Sequence, residues 1–534
     1  MSCPTTTDEA TPVHPSFDLT SQSWLPVRLA DGSVGTPLGL RELLCRAHTL
    51  SDATLPLPPA SAQLWRVLAL LTARVTGLDS AEGADEWYLR RRDVLDAGSL
   101  PQSEVDGYFS AHSDRFDLFH PERPWLQDPR LREQCSKTSG INKLTWGRTA
   151  GQNQVWLGGH HHDLAPVPLS PAEAAWHLLA TLGHGPSGRC TTRTVGERSE
   201  ANSTAGPLRT TLSFHPVGRT LFESLILNIP FPGEQEPDET DLAPWERADL
   251  PDPLGPPEEP TGLAGVLVNQ AAHAVLLVPG EDGSEVVDAY VTWARRERPV
   301  APTDPYLIHQ TAKDGRRYAR AADSSRAVWR DLDSLLLESP QDRYRPELLS
   351  HLTSRTRLPL QLRQAMRLAA FGFDQDGQTR DKQWFTATTP PVLRWLEDSA
   401  AEDPEDGARA RTRIRLSREA AERSGRRLHE ALTAAWKESN SPSGGVKTDT
   451  GTGPWLRKGT ARYWSTAERV FWDIAVDEDA DGPGNSFIRL ALDAYDEVTS
   501  PYCHRSRVAK VVEQHRSRLF DGWVNERTDE GDAA

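Results

Sequence analysis

The sequence predicts an α+β fold, with a large mixed α/β N-terminal domain followed by a C-terminal four-helix bundle. Helical spacings of apolar residues alternate with strand-like runs through the first two thirds of the 534 residues. From about residue 405 the pattern is helical almost throughout. Breaks rich in Gly, Pro and Ser at 440–454 and 480–485 divide this part into four amphipathic stripes, which pack most simply as a bundle.

Five helices are predicted in the first 185 residues. They cover 40–48, 58–77, 85–96, 101–112 and 171–183. The second has apolar residues at i, i+3, i+4 and i+7 from Leu64, which is the spacing of one helix face. The fifth begins with Ser170-Pro171, and Glu173 completes a capping box that fixes its start.

The middle of the chain predicts loops and strands. Loops are expected over 128–168 and 183–210, and an exposed segment rich in Pro and acidic residues over 232–262. Strand-like runs cover 263–269, 273–279 and 286–293, and a helix at 360–370 precedes an extended run at 383–388. The expected domains are a disordered leader at 1–15, the mixed domain at 16–385, the bundle at 386–525 and a disordered tail at 526–534.

Charge is distributed unevenly along a chain whose net charge is −16. Residues 220–289 hold 15 acidic residues and one basic residue, whereas 129–219 and 295–330 each carry a net charge of +5. The two basic segments are therefore candidates for phosphate contacts, although solvated surface arginines are the simpler explanation for any single residue.

Several protein classes fit the sequence poorly. No apolar run approaches the roughly 20 residues of a membrane span, and the N-terminus lacks the features of a signal peptide. Five scattered cysteines without CxxC spacing favour free thiols and a cytoplasmic protein. No Walker A, Rossmann or HExxH motif occurs, so no cofactor and no metal are expected.

Two weak catalytic hints remain as an alternative. His112 lies two residues before Asp114, and three histidines stand together at 160–162. Adjacent histidines converge on a metal poorly, and triads form in space rather than in sequence. A metal-dependent hydrolase and a protein-only scaffold are therefore kept as alternatives.

Two runs near the N-terminus combine aromatic and apolar residues with prolines. Residues 17–27 read FDLTSQSWLPV, with a turn at 31–33, and residues 116–127 read FDLFHPERPWLQ. In this order they resemble the CasA family, the large subunit of the type I-E CRISPR Cascade surveillance complex. The resemblance implies a non-enzymatic subunit that reads the protospacer-adjacent motif from the minor groove and promotes strand opening and R-loop formation. The implied partners are double-stranded target DNA, the 5′ end of the guide RNA, other Cascade subunits and a helicase-nuclease.

The resemblance also implies a glycine loop and a basic finger that probe the duplex. The glycine loop corresponds to Gly183, Gly185, Ser187, Gly188 and Arg189, and the finger to Arg295, Arg296 and Arg298. Glycine suits close approach to base edges because it has no Cβ, and arginine suits the negative potential of a minor groove. A helix C-cap loop is the alternative for the glycine loop, and a phosphate-clamping or solvated arginine face is the alternative for the finger.

A strand-separating wedge and a docking loop complete the implied interface. The wedge corresponds to Gly377 and Gln378, with Gln375 as the rival and an ordinary polar turn as the alternative. The docking loop comprises Arg132, Lys137, Asn142, Lys143, Trp146 and Arg148. Basic residues interleaved with an aromatic suit a loop that is disordered when free and orders on RNA or protein.

Overall fold

The chain divides into two compact units. The computed structural model describes residues 14–150, 161–234, 238–297, 303–337, 343–353, 356–375, 381–397, 405–440, 451–477, 479–480 and 482–523. Unit 1 comprises Met1–Arg326 and Leu337–Ala401, and unit 2 comprises Ala327–Leu336 and Glu402–Ala534. The predicted domain boundary at 385/386 stays a prediction. The predicted tail and nearly all of the predicted leader lie outside the described residues.

Sixteen α-helices are found among the described residues. They are α1 (Leu40–Arg46), α2 (Pro58–Thr76), α3 (Gly83–Ala97), α4 (Gln102–Ala111), α5 (Leu131–Gln134), α6 (Ile141–Leu144), α7 (Pro171–His184), α8 (Leu221–Leu227), α9 (Leu263–Leu267), α10 (Leu332–Leu336), α11 (Glu347–Ser350), α12 (Leu360–Ala365), α13 (Glu405–Asn440), α14 (Gly453–Val476), α15 (Ser486–Thr499) and α16 (Ser506–Arg516). Helix α2 is buried on almost every side and packs against α7 and α8, so it forms the centre of unit 1.

The described strands form small antiparallel sheets. The strands are β1 (Arg28–Leu29), β2 (Leu50–Asp52), β3 (Gly188–Val195), β4 (Arg198–Ser203), β5 (Leu212–Val217), β6 (His273–Pro279), β7 (Val286–Trp293), β8 (His309–Thr311), β9 (Arg317–Ala319), β10 (Arg343–Tyr344), β11 (Arg367–Gln375) and β12 (Asp381–Thr388). The orders are β12-β11-β5 and β10-β8-β9 in two three-stranded sheets, with β1-β2, β3-β4 and β6-β7 as pairs. Strand β11 is buried in the middle of its sheet, while β12 forms an exposed edge. Both strands pack against α2.

Unit 2 is helical among its described residues. Helix α13 contacts α14, α15 and α16. The buried Tyr463 hydroxyl on α14 donates to the carbonyl of Ala421 on α13 at 2.7 Å, and the Tyr495 hydroxyl on α15 donates to Val512 on α16 at 2.8 Å. These bonds satisfy buried hydroxyls and hold neighbouring helices together.

None of the helices in the described ranges is both long and apolar enough to cross a membrane.

Local signals predicted much of this structure. The mixed α/β N-terminal part and the helical C-terminal part are confirmed, as are strands at 273–279 and 286–293. The capping box at Ser170 is also confirmed, since its hydroxyl accepts from the Glu173 amide at 3.3 Å while the Glu173 carboxylate accepts from the Ser170 amide at 3.1 Å.

Four predictions of local structure were wrong. The run 263–269 contains a helix, because the Asp241 carboxylate accepts from the amides of Ala264 and Gly265, both at 2.8 Å, and caps its first turn. The predicted loop 183–210 contains the β3–β4 hairpin, whose strands are polar on both faces and lack the apolar alternation that marks a strand. The helix predicted to end at residue 370 ends at Ala365, and β11 begins at Arg367. The predicted loop over 128–168 includes the one-turn helices α5 and α6.

Candidate nucleic-acid interface

The two N-terminal runs pack directly on each other. The Leu19 amide donates to the Phe116 carbonyl, and the Leu118 amide donates to the Phe17 carbonyl, both at 3.0 Å. The Asp117 carboxylate accepts from the Phe17 amide at 2.9 Å. These runs therefore form one structural unit, although almost one hundred residues separate them.

The inner half of the glycine loop is buried. Helix α7 ends at His184, and Gly183 and Gly185 lie inside the protein. A Cβ on Gly185 would lie 2.5 Å from Cε1 of His273, so this position requires glycine for packing. Gly183 and Gly185 are therefore placed to support the loop.

The outer half of the loop is accessible. Ser187 is half-buried, whereas Gly188 and Arg189 are exposed at the start of β3. Gly188 has φ +121°, with nothing within 4 Å of an added Cβ, so its conformation favours glycine and its surroundings are open. The part of the predicted loop that can meet a ligand is residues 187–189.

His273 contacts the backbone of the glycine loop from inside the protein. Its Nε2 lies 3.0 Å from the carbonyl of Pro186, which only accepts, so Nε2 carries the proton. Burial lowers the pKa of His273 to about 4 and that of His184 to about 3. Both rings are therefore neutral at pH 7 and contribute packing rather than charge.

The docking loop lies beside the glycine loop and is anchored at several points. The indole Nε1 of Trp146 donates to the Thr181 hydroxyl on α7 at 3.2 Å, and the buried Asn142 amide donates to Asp163 at 3.0 Å. The guanidinium of Arg148 donates to the carbonyl of Val167. Lys143 is exposed between these anchors, as are Arg132 and Lys137 earlier in the loop.

An open groove of about 620 Å³ joins the two loops. Its described lining includes residues 142–150, residues 186–190, Arg209 and Asp381. The charged members of that lining, histidine aside, are Lys143, Arg148, Arg189, Arg209 and Asp381. Arg209 is buried and paired with Asp381, so Lys143, Arg148 and Arg189 leave the groove with a net positive charge, which suits a phosphate backbone.

Asp381, at the base of the predicted wedge, lines this groove. Strands β11 and β12 form a hairpin in which Gln375 is paired with Asp381. Gln375 is 5% exposed, and its Nε2 donates to Asp381 Oδ1 at 2.9 Å. Gly377 and Gln378 lie outside the described residues.

Comparison with known proteins decides the family. The family model described as CRISPR-associated protein Cse1 matches residues 18–494. The chain belongs to the Cse1 family. A curated relative, CRISPR-associated protein CasA/Cse1 of Thermus thermophilus, is 28% identical over 333 residues, and this alignment covers 60% of each chain. The chain thus aligns with somewhat less than two thirds of that relative. The CasA resemblance of the two N-terminal runs is confirmed.

Solved structures agree with the Cse1 assignment. A chain of a CRISPR RNA-guided surveillance complex is 58% identical, with a TM-score of 0.84 over 95% of this chain and 100% of that chain. Another, from a pre-nicking complex, is 58% identical with a TM-score of 0.77 over 96% and 100%. CasA (Cse1) of Thermus thermophilus, 21% identical with a TM-score of 0.69 over 95% and 100%, shares the fold.

The predicted basic finger of this Cse1 chain lies apart from the groove lining. Arg295 donates to the Asn269 carbonyl at 2.8 Å, and burial lowers the pKa of its guanidinium. Arg296 donates to the Asn202 carbonyl at 2.8 Å and stacks over Trp293 at 5.0 Å. Both side chains are thus engaged with the protein, and Arg298 lies outside the described residues.

The residues behind the hydrolase alternative are dispersed. His112 packs on the ring of Tyr108 with centroids 4.9 Å apart, and Asp114 lies 3.5 Å from Arg115. Among the described residues no group of three His, Cys, Asp or Glu could hold a metal ion, and His160 is not among them. Elsewhere, His215 lies between Ser213 at 2.9 Å and Asn228 at 2.8 Å, but each of the three is at most 1% exposed, which suits a packing role.

Sequence reasoning missed Arg209 and Asp381. They are 172 residues apart, and the guanidinium Nη2 donates to the carboxylate at 2.7 Å. Neither residue belongs to a recognisable motif, and only the basic balance of 129–219 pointed toward Arg209.

Proposed function

We propose that this Cse1-family chain is a non-enzymatic, DNA-reading subunit of an RNA-guided surveillance complex. It recognises the protospacer-adjacent motif in duplex DNA from the minor groove and promotes strand opening and R-loop formation. It then helps to recruit a helicase-nuclease for antiviral defence in the cytoplasm. The observation that carries this proposal is the cationic groove that joins residues 187–189 to the docking loop and the hairpin base.

The groove supports binding to nucleic acid by its charge and shape. Lys143, Arg148 and Arg189 lie along its lining, where they can neutralise phosphates and release counterions. This charge is local, because the chain as a whole carries −16. A basic groove within an acidic protein favours contact at one place on the duplex.

Residues 187–189 supply the minor-groove contact in this proposal. The backbone at Gly188 can approach base edges without a Cβ, and Arg189 projects beside it. Minor-groove donors and acceptors are degenerate, so several related motifs are expected to be tolerated. Arg295, Arg296 and Arg298 remain candidates for contacts further along the duplex.

Strand opening is assigned to the β11–β12 hairpin, with Gly377 and Gln378 as the wedge. Gln375, the rival, is buried against Asp381, which favours Gln378 for this role. A polar amide inserted beside the first target pair would interrupt stacking, at a cost of a few kcal/mol per step.

The remaining contacts are assigned by position. Arg132, Lys137, Lys143, Trp146 and Arg148 form the face toward the guide-RNA 5′ end and other subunits, and the buried Asn142 holds this loop in place through Asp163. The four helices α13–α16 are proposed to act as a four-helix bundle. Guide pairing supplies sequence specificity, while this chain reads only the short adjacent motif, as in other RNA-guided effectors.

Reconstitution tests this function. A guide-RNA complex assembled with and without this chain is titrated with duplex targets that differ only in the flanking trinucleotide. Discrimination that depends on the chain supports the proposal. Equal affinity and equal discrimination without it contradict the proposal and favour the protein-only scaffold.

A further inference from the structure

One buried arginine connects the glycine loop to the hairpin. The side chain of Arg209 is 2% exposed. Its Nη1 donates to the carbonyl of His184 at 3.0 Å, and its Nη2 donates to Asp381 Oδ1 at 2.7 Å. A single rigid guanidinium therefore spans the end of α7 and the start of β12.

Asp381 also contacts the facing strand, β11. The same Oδ1 accepts from Gln375 Nε2 at 2.9 Å, and the two residues are register partners where β11 meets β12. Arg209, Asp381 and Gln375 thus close the base of the hairpin. A carboxylate that accepts from both the facing strand and Arg209 fixes how that base sits on the glycine loop.

The backbone provides a second connection in parallel. The Gly206 amide donates to the Gly185 carbonyl at 2.9 Å, and the Leu208 amide donates to the Gly183 carbonyl at 2.8 Å. A Cβ on Gly206 would lie 2.5 Å from the Gly183 oxygen, so these segments are in direct contact. Displacement of the glycine loop must therefore carry Arg209 with it.

The same segment leads into the sheet that holds the hairpin. Residues 206–211 run directly into β5, which pairs with β11. A Cβ on Gly372 of β11 would lie 2.3 Å from the Thr211 carbonyl, so the two backbones are too close at this point to admit a side chain. The glycine loop and the hairpin are joined both through strand pairing and through Arg209.

We propose that Arg209 is a positioning residue that couples occupancy of the glycine loop to the placement of the hairpin for strand opening. This inference rests on the proposed function. Because its side chain is 2% exposed, Arg209 acts through His184 and Asp381 and not through direct contact with DNA. Asp381→Asn leaves the buried Arg209 guanidinium without its carboxylate, and Arg209→Gln removes the donor to the His184 carbonyl, so the coupling is sensitive to either substitution.

The test is a double-mutant cycle in the assembled guide-RNA complex. The variants are Arg209→Gln, Asp381→Asn and the double variant, each compared for binding and for strand opening followed by a fluorescent base analogue beside the adjacent motif. The matched control is Arg66→Gln, since Arg66 has a side chain 2% exposed and pairs with Asp304 at 2.7 Å. Thermal unfolding of each chain reports whether it remains folded.

Both single variants are expected to retain trinucleotide discrimination but to open the duplex on the order of tenfold more slowly, the loss of one charge-assisted hydrogen bond. The double variant should be no slower than the singles, because all three variants remove the same interaction. Targets with a pre-opened bubble should restore the normal rate, and Arg66→Gln should leave the ratio of opening to binding unchanged.

Additive effects in the double variant, or slow binding with normal opening, would overturn the coupling. If Arg209→Gln does not fold, Asp381→Asn decides the matter alone, because the Asp381 side chain is 42% exposed and asparagine keeps an oxygen that can accept from Arg209 and Gln375. If the unmodified complex does not discriminate between duplex targets with different flanking trinucleotides, the proposed function itself is rejected.

Discussion

The indole rings of Trp24 and Trp125 meet edge to face, with centroids 5.8 Å apart and planes at 66°. Both side chains are about 1% exposed, so this contact lies inside unit 1. Each tryptophan comes from one of the two runs that resemble the CasA family. These two tryptophans, which belong to the runs that resemble the CasA family, are therefore core residues and do not themselves contact a ligand.

Asp117 is expected to be important for the stability of this joined unit. Its carboxylate accepts from the Ser16 hydroxyl at 2.7 Å and from the amides of Phe17 and Phe119 at 2.9 Å. Asp117→Ala should lower the free energy of unfolding by about 1–3 kcal/mol, because partly buried donors lose their acceptor. Urea unfolding followed by tryptophan fluorescence measures the change. Asp249→Ala, at a side chain 99% exposed, is the control and should change stability by less than about 0.5 kcal/mol.

Gly185 is expected to tolerate no side chain. An added Cβ would lie 2.5 Å from the His273 ring and 2.7 Å from the Thr181 carbonyl. Gly185→Ala should therefore lower the melting temperature and weaken DNA binding together, since the loop must move. Gly107→Ala, in helix α4 with nothing within 4 Å, should instead stabilise the chain by about 0.5–1 kcal/mol. Unchanged stability and binding in Gly185→Ala would show that the loop can be displaced without cost.

Stability should fall on mild acidification because several histidines are buried in their neutral form. Burial lowers the pKa of His177 and His273 to about 4 and that of His184 to about 3, whereas an unfolded histidine titrates near 6.5. Between these values the unfolded chain binds protons that the folded chain does not. Each histidine thus removes about 1.4 kcal/mol of stability per pH unit as the pH drops from about 6.5 toward 4.

Urea titrations between pH 7.5 and 4.5 measure this dependence. His273→Gln places an amide donor near the position of Nε2, so it keeps a donor for the Pro186 carbonyl and should flatten the curve. An unaltered slope in His273→Gln would show that His273 binds its proton equally in both states.

Arg189 is expected to contribute to DNA affinity within the assembled complex. Arg189→Ala should weaken duplex binding and reduce the slope of log affinity against log salt by about one. Arg198→Ala is the matched control. Arg189 lies near the start of β3, whereas Arg198 lies at the opposite end of the β3–β4 hairpin, beside its turn, and pairs with Glu200 at 3.4 Å. Equal effects of the two substitutions would indicate a general charge effect and not a contact at the groove.

Prediction from sequence succeeded where the signal is local. The Ser170 capping box and strands β6 and β7 follow from neighbouring residues, and the structure has them where they were expected. Polar strands were harder to predict, because β3 and β4 alternate polar residues on both sides of a turn at Gly196. An apolar run such as 263–269 fits a helix or a strand equally, and Asp241 decides between them from 23 residues away.

In the candidate site, too, local features could be predicted from the sequence, whereas contacts between distant residues could not. The glycine loop and the docking loop could be proposed from the family resemblance, although only the structure shows that Gly183 and Gly185 face inward. The contact between Arg209 and Asp381 could not be predicted, because the two residues are 172 positions apart and carry no motif. Side-chain pairs of this kind depend on the complete fold.

Site-specific photo-crosslinking tests the central claim most directly. A photoreactive side chain is placed at position 187 or at position 137 in the complex assembled on guide RNA and a matched duplex target. We predict that position 187 crosslinks to the flanking trinucleotide of the duplex, and position 137 to guide RNA or another subunit. Crosslinks from position 187 that reach only RNA or protein, with none to the flanking duplex, would contradict the assignment of the groove as the DNA-reading site.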